Sequence, residues 1–173
     1  MDGFNLRRLG LAVALSTSMG MAWAASSNDF VDNAAAGGIA EIETSKLALE
    51  KSASADVKTF ANKMISDHTK ANQELMSLAK KHDIEVPDET TLVKKAKAKI
   101  LEVRDESFDA AYANNQVKAH EETIALFKKE ADTVTDDKKA GNTELKAFAQ
   151  KMLPHLQEHL EMAKKLQAAH PSK

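Results

Sequence analysis

Residues 55–82 read ADVKTFANKMISDHTKANQELMSLAKKH and contain neither glycine nor proline. The apolar residues of this stretch recur at the spacing of one face of an α-helix. They are Val57, Phe60, Ala61, Met64, Ala71, Leu75, Leu78 and Ala79. Ser54, which comes just before the stretch, is a favourable N-cap residue. The pattern predicts a long amphipathic helix whose apolar face packs against other helices.

Three further stretches show the same helical spacing. They run from about residue 29 to 51, from about 107 to 133 and from about 143 to 169. Candidate capping residues precede the first and the last of them, namely Asn28 or Asp29, and Asn142 or Thr143. The turn between the first two helices is very short, so we expect these helices to pack antiparallel.

Polar segments separate the predicted helices. Residues 83–90 break the helical pattern, residues 91–104 resemble a short basic connector helix, and residues 134–142 form a turn. Within the first helix, the pair Gly37-Gly38 lowers the helical preference, and close approach of a neighbouring helix is the favoured explanation. We therefore predict an all-α four-helix bundle with a short connector helix between the second and third long helices.

The composition agrees with a single helical domain and excludes several functions. The 173 residues are 43% hydrophobic, 29% charged and 5% aromatic, which is typical of long helices and poor for a sheet. The net charge is -2 and no basic face dominates, so we expect no nucleic-acid partner. Because the chain contains no cysteine, it has no disulfide, thiol catalysis or lipoprotein anchor, and only nitrogen and oxygen atoms remain as metal ligands.

The first 24 residues have the features of a cleavable signal peptide. Arg7 and Arg8 precede the apolar run LGLAVALSTSMGM at 9–21, and Ala22-Trp23-Ala24 forms a cleavage site. The run is shorter than the ~20 residues that span a bilayer, and no later segment is apolar enough to do so. The sequence thus predicts export to the periplasm and one mature domain, residues 25–173, with a core at about 29–168.

Each long helix carries one side chain that can bind a proton or a metal near its middle. His68, His120 and His159 lie on the inner faces of the second, third and fourth helices, and Glu43 lies toward the edge of the apolar face of the first. All four are ~20 Å along their helices, at 1.5 Å per residue. We expect them to meet in one central layer.

That layer predicts a metal site. A buried imidazole needs partners for both nitrogens, and a buried carboxylate is costly unless it is paired. Glu43, His68, His120 and His159 can satisfy one another by binding one divalent transition metal ion, namely zinc, copper or iron. Asp67 and Tyr112 are candidates for hydrogen bonds to these ligands. A buried network of His, Glu and Tyr hydrogen bonds is the alternative interpretation.

Ferroxidase chemistry is not indicated. The di-iron proteins of the ferritin type carry Glu-x-x-His on two helices. The residues three positions before the three histidines are instead Ile65, Val117 and Leu156.

Several short motifs resemble a bacterial family known as domain of unknown function 4142. The most specific are MISDH at 64–68, FDAAY at 108–112, His120, and Leu153-Pro154 with His159. The likeness covers about residues 29–168 and implies a ferritin-like helical bundle in an exported protein, without an established activity. One departure is Ser107, where the family often has glycine.

Three functions follow as hypotheses. The first is a periplasmic protein for metal binding or the response to metal stress. The second is a non-catalytic envelope or stress-response module that acts through its helix surfaces, in which the buried histidines are structural. The third is a redox or hydrolytic enzyme, which requires an open coordination position and a pocket. The protein partner is unidentified, and a homo-oligomer is compatible with the sequence.

Overall fold

The computed structural model describes residues 26–97, 107–134 and 140–172. The predicted signal peptide, residues 1–24, lies outside these ranges, as do the end of the predicted connector helix and part of the predicted turn before the last helix. Among the described residues, none of the helices combines the length and apolar character that crossing a membrane requires.

The described chain is helical apart from two very short strands, which confirms the predicted all-α class. In chain order, the elements are β1 Ser26–Ser27, α1 Asp29–Lys51, α2 Ala55–Lys81, β2 Ile84–Glu85, α3 Glu89–Lys97, α4 Phe108–Ala131 and α5 Ala140–Ala169. The strands β1 and β2 pair in parallel, with Ser26 opposite Ile84 and Ser27 opposite Glu85. The helix α3 occupies the place of the predicted connector.

Helices α1, α3 and α4 begin at side-chain caps, and in α3 the Asp88 side chain accepts a hydrogen bond from the backbone N–H of Thr91. The Asn28 side chain accepts a hydrogen bond from the backbone N–H of Val31, and the Ser107 side chain accepts one from the N–H of Ala110. Ser54 stands at the N-cap position of α2 but makes no side-chain cap hydrogen bond. These caps satisfy N–H groups that the first turn of a helix leaves without partners.

The start of the last helix differs from the prediction. Helix α5 includes Gly141, Asn142 and Thr143, so neither Asn142 nor Thr143 is its N-cap and Gly141 is not in a turn. A β-carbon on Gly141 would lie 3.0 Å from the β-carbon of His82. The glycine therefore reflects close packing against the end of α2.

The four long helices pack side by side. Helix α1 contacts α2 and α4, helix α5 contacts the same two helices, and α3 packs against α1. This arrangement is compatible with the predicted four-helix bundle. Helices α2 and α5 run antiparallel, as shown by the ion pairs Lys81–Glu144 and Glu74–Lys151 and by the hydrogen bond between Asp56 and His170, just past the end of α5.

Two hydrophobic clusters fill the space between the helices. One cluster contains Phe30, Leu75, Phe127, Phe148 and Leu156, and the other contains Met64, Tyr112, Ala113 and Ala163. Along α2, α4 and α5, one histidine lies between the residues of the two clusters. The apolar core thus encloses a polar layer at its waist.

Candidate metal centre

Three of the four predicted metal ligands meet in that layer. The ring centroids of His68, His120 and His159 lie 5.5 to 5.7 Å apart. One ring nitrogen from each histidine lies within 4.8 Å of the other two. The residues are 8%, 1% and 2% exposed, respectively. Helices α2, α4 and α5 therefore hold three imidazoles together away from solvent.

The orientation of His120 is set by its own helix. Its Nδ1 lies 2.7 Å from the backbone oxygen of Gln116, one turn earlier. A carbonyl oxygen only accepts hydrogen bonds, so Nδ1 carries the proton and Nε2 has a free lone pair. That Nε2 atom is buried and has no hydrogen-bond partner among the described residues.

His159 is oriented across the interface between α5 and α2. Its Nε2 lies 3.0 Å from Oδ2 of Asp67, and the same oxygen accepts a hydrogen bond from Lys63 at 2.9 Å. The Nδ1 atom of His159 is left buried and without a partner in the described structure. A carboxylate behind a histidine in this way is common in metal sites, where it fixes the ring and raises its basicity.

His68 supplies the third nitrogen. Its Nε2 is also buried and lacks a hydrogen-bond partner within the described ranges. Each of the three rings thus has a buried nitrogen whose hydrogen-bonding capacity is unused. An unsatisfied buried polar atom costs about 1–3 kcal/mol, so three of them in one place call for an explanation.

The surroundings keep the rings of His68 and His159 neutral. Burial, followed by the neighbouring rings of His120 and His159, lowers the pKa of His68 to about 3. Burial also lowers the pKa of His159 to about 4, although the hydrogen bond to Asp67 opposes the shift. Burial acts to raise the pKa of Asp67, but the hydrogen bonds from Lys63 and His159 outweigh it and hold the pKa below its usual value. Near neutral pH, His68 and His159 are therefore neutral and lie beside an ionised carboxylate.

The structure does not bring Glu43 to the histidines. Its side chain is 46% exposed and forms an ion pair with Lys46 at 2.8 Å. The buried face of this part of α1 is formed instead by Glu41, Thr44, Ser45 and Ala48. Because each residue turns a helix by about 100°, Glu43 points away from that face. Among the described residues, the group of side chains that could hold an ion therefore does not include Glu43.

Tyr112 is buried, but its hydroxyl is directed to another helix. It lies 2.9 Å from the hydroxyl of Ser45 in α1, and both residues are 0% exposed. Burial raises the pKa of the Tyr112 phenol well above its ordinary value, although the hydrogen bond with Ser45 acts in the opposite direction. Asp67 and Tyr112 were both predicted to form hydrogen bonds to the ligands. Asp67 does so with His159, whereas the hydrogen bond of Tyr112 is with Ser45.

Comparison with known families agrees with the motifs. A family model described as Domain of unknown function (DUF4142) matches residues 12–166. The chain belongs to this family. No curated protein and no solved structure showed significant similarity to it. The description of the family assigns it no activity.

Sequence reasoning missed two buried polar residues near the layer. Gln116 is 0% exposed, and neither atom of its side-chain amide has a hydrogen-bond partner among the described residues. It precedes His120 by one turn, on the same face of α4. Glu41 is also buried, at 5% exposure. Both residues lie on the inner faces of their helices, and this position could have indicated their burial from the sequence.

Three imidazoles that converge in this way form a nitrogen donor set. Such a set suits zinc, copper or iron and suits calcium or magnesium poorly. Among the described residues, the buried group that could hold one ion consists of these three side chains, and three-histidine coordination would leave a position for a small exogenous ligand, as in sites of the catalytic type.

Proposed function

We propose that this protein is an exported helical protein that binds one divalent transition metal ion through His68, His120 and His159. The ligand atoms are Nε2 of His68, Nε2 of His120 and Nδ1 of His159. The observation that carries the proposal is that three nitrogens from three helices, all buried and without hydrogen-bond partners, belong to rings that converge within the core.

The unused nitrogens favour an ion over a purely structural network. A hydrogen-bond network satisfies its members, but no ring-to-ring hydrogen bond joins the three histidines in the described structure. One cation accepts a lone pair from each ring and so satisfies all three. The hydrogen bonds to the Gln116 carbonyl and to Asp67 support this role, because they place the proton of each ring on the nitrogen that faces away from the proposed ion.

The proposal includes the location and the architecture. The signal-peptide features of residues 1–24 support export to the periplasm. The mature chain, residues 25–173, is one ferritin-like four-helix domain. Its physiological role is then metal binding or the response to metal stress. Mass spectrometry of protein from the periplasm should show a mature chain that begins at Ala25, and an intact N-terminus there would contradict this part.

Metal binding is tested with protein purified without an affinity tag. We expect elemental analysis to find about one zinc, copper or iron ion per chain, and chelation to yield a protein that takes the ion up again. Replacing His68, His120 or His159 by alanine should lower the affinity about tenfold or more. A folded protein that neither contains nor takes up any of the three metals would refute the proposal.

His155 provides the matched control. It lies one turn before His159 on α5, and it is exposed. The variant His155→Ala changes the same residue type on the same helix and should keep the wild-type affinity. If its affinity falls as far as that of His159→Ala, the ion is bound at the surface and not between the three helices.

A structural role is the second candidate. It is favoured by the fact that two of the rings already have a hydrogen-bond partner, the Gln116 carbonyl for His120 and Asp67 for His159. In that case the protein is a non-catalytic envelope or stress-response module. Neither the wild type nor the variant with leucine in place of His68 and His159 would then contain metal. The variant would have equal or greater thermal stability and would bind the protein partner as the wild type does.

A further inference from the structure

A small cavity lies beside His68. Its volume is about 20 Å³, which is room for one molecule the size of water. Apart from the His68 ring and the Asn72 side chain, its walls are largely apolar and include Leu75, Phe127 and Leu156. The buried, unpartnered Nε2 atom belongs to the ring that lines this cavity.

A groove at the surface leads to the same place. It lies between α1 and α4, has a volume of about 200 Å³ and is lined in part by Asn33 and Glu122. Three residues line both the groove and the inner cavity, namely Ala34, Gly37 and Thr123. The groove and the cavity therefore adjoin at these residues, which lie between the surface groove and His68.

Gly37 lies at this junction, and close packing does not explain why this position is a glycine. A β-carbon on Gly38 would collide with the Asn72 side chain, which confirms the predicted close approach of a neighbouring helix for that glycine. A β-carbon on Gly37 would meet no atom within 4 Å, and its backbone does not have a positive φ angle. Glycine inside a helix costs about 1 kcal/mol relative to alanine. The missing side chain therefore weakens α1 and leaves open space.

We propose that Gly37 keeps open a passage between α1 and α4 through which a small uncharged molecule reaches the metal ion at His68. This inference rests on the proposed metal site and names what the site takes as its exogenous ligand. The apolar walls disfavour a charged molecule, because burial of a charge without a partner is costly. The cavity volume of about 20 Å³ limits the ligand to about one or two heavy atoms, the class of dioxygen, carbon monoxide and nitric oxide.

Carbon monoxide and the copper(I) form of the full protein test the passage. Carbon monoxide binds copper(I) held by imidazoles, and its infrared band and its recombination after photolysis report binding and rate. We expect the association rate to fall progressively from wild type through Gly37→Ala and Gly37→Leu to Gly37→Phe, by about tenfold or more for the largest side chain. The affinity for copper should stay within about twofold of wild type throughout.

Two controls separate the passage from effects on folding. Gly37→Ala adds a methyl group into open space and improves the helix, so it stays folded and gives a usable rate even if the larger variants do not. Glu50→Leu adds an apolar side chain at an exposed position of α1, on the face away from Gly37. It should keep the wild-type rate.

The outcomes distinguish the two proposals. If wild-type protein takes up no copper, zinc or iron, both the metal site and the passage are overturned. If copper binding depends on the three histidines but carbon monoxide does not bind, the passage alone is overturned. The same holds if carbon monoxide associates equally fast in wild type and in every folded Gly37 variant. A graded decrease with unchanged copper affinity supports the passage.

Discussion

Asp67 accepts a hydrogen bond from Nε2 of His159 at 3.0 Å, and it lies immediately before His68 in the chain. One turn of α2 therefore supplies both a proposed ligand and the group that orients a second proposed ligand on α5. Lys63, one turn earlier, donates a hydrogen bond to the same carboxylate oxygen at 2.9 Å. The two helices are coupled at the level of the site and not only through their apolar faces.

This relationship predicts the effect of removing the carboxylate. We expect Asp67→Ala to lower metal affinity about tenfold to 100-fold, because the His159 ring loses its orienting partner. Asp67→Asn should cost less, since its amide oxygen still accepts the hydrogen bond. Competition with a chelator of known affinity measures both. Lys63→Met is the control for the lost ion pair, and wild-type affinity in Asp67→Ala would show that the carboxylate has no role at the ion.

The position of Glu43 predicts the opposite result. Its carboxylate is paired with Lys46 on the exposed side of α1, so Glu43→Gln should leave metal affinity within about twofold of wild type. The same titration on His120→Ala provides the comparison. If Glu43→Gln lost as much metal affinity as His120→Ala, Glu43 would be a ligand of the ion.

The neutral histidines predict that acid destabilises the metal-free protein. The pKa of His68 is lowered from 6.5 to about 3 and that of His159 from 6.5 to about 4 in the folded state. Between about pH 6.5 and 4, the unfolded chain thus binds more protons than the folded chain, and the free energy of unfolding decreases as pH falls. Urea unfolding at several pH values measures this decrease.

Leucine variants provide the control for that pH dependence. His68→Leu and His159→Leu remove the groups that gain protons on unfolding, so each should flatten the decrease between pH 6.5 and pH 4. An equally steep decrease in both variants would assign the acid sensitivity to other groups.

The hydrogen bond between Tyr112 and Ser45 predicts a substitution that lowers the free energy of unfolding without changing metal affinity. Tyr112→Phe removes the hydroxyl and leaves the buried Ser45 without this partner, so we expect a loss of about 1–3 kcal/mol in the free energy of unfolding. Metal affinity should not change, because the observed hydrogen bond of Tyr112 is to α1. Adding Ser45→Ala should recover part of the loss, since no unsatisfied hydroxyl then remains. A drop in metal affinity would instead assign Tyr112 to the support of the site.

Local sequence signals were enough to predict the positions of most of the long helices. The apolar spacing of the long stretches and the cap Asn28 act within a few residues along the chain, so the sequence alone placed α1, α2 and α4 closely. The start of α5 at Ala140 escaped prediction because the contact between Gly141 and His82 joins residues that are distant in sequence. The histidine layer was also foreseeable, since the three rings lie on the apolar stripes of long helices at matching heights.

The sequence by itself determined that the protein is helical and that His68, His120 and His159 face inward near its waist. Only the tertiary structure decided which nitrogen of His159 remains free, because that depends on Asp67 of another helix. It also decided that α1 buries Glu41 and exposes Glu43. Small residues occur around much of α1, so its sequence defines no narrow apolar face, and packing against α2 and α4 sets the rotation of the helix.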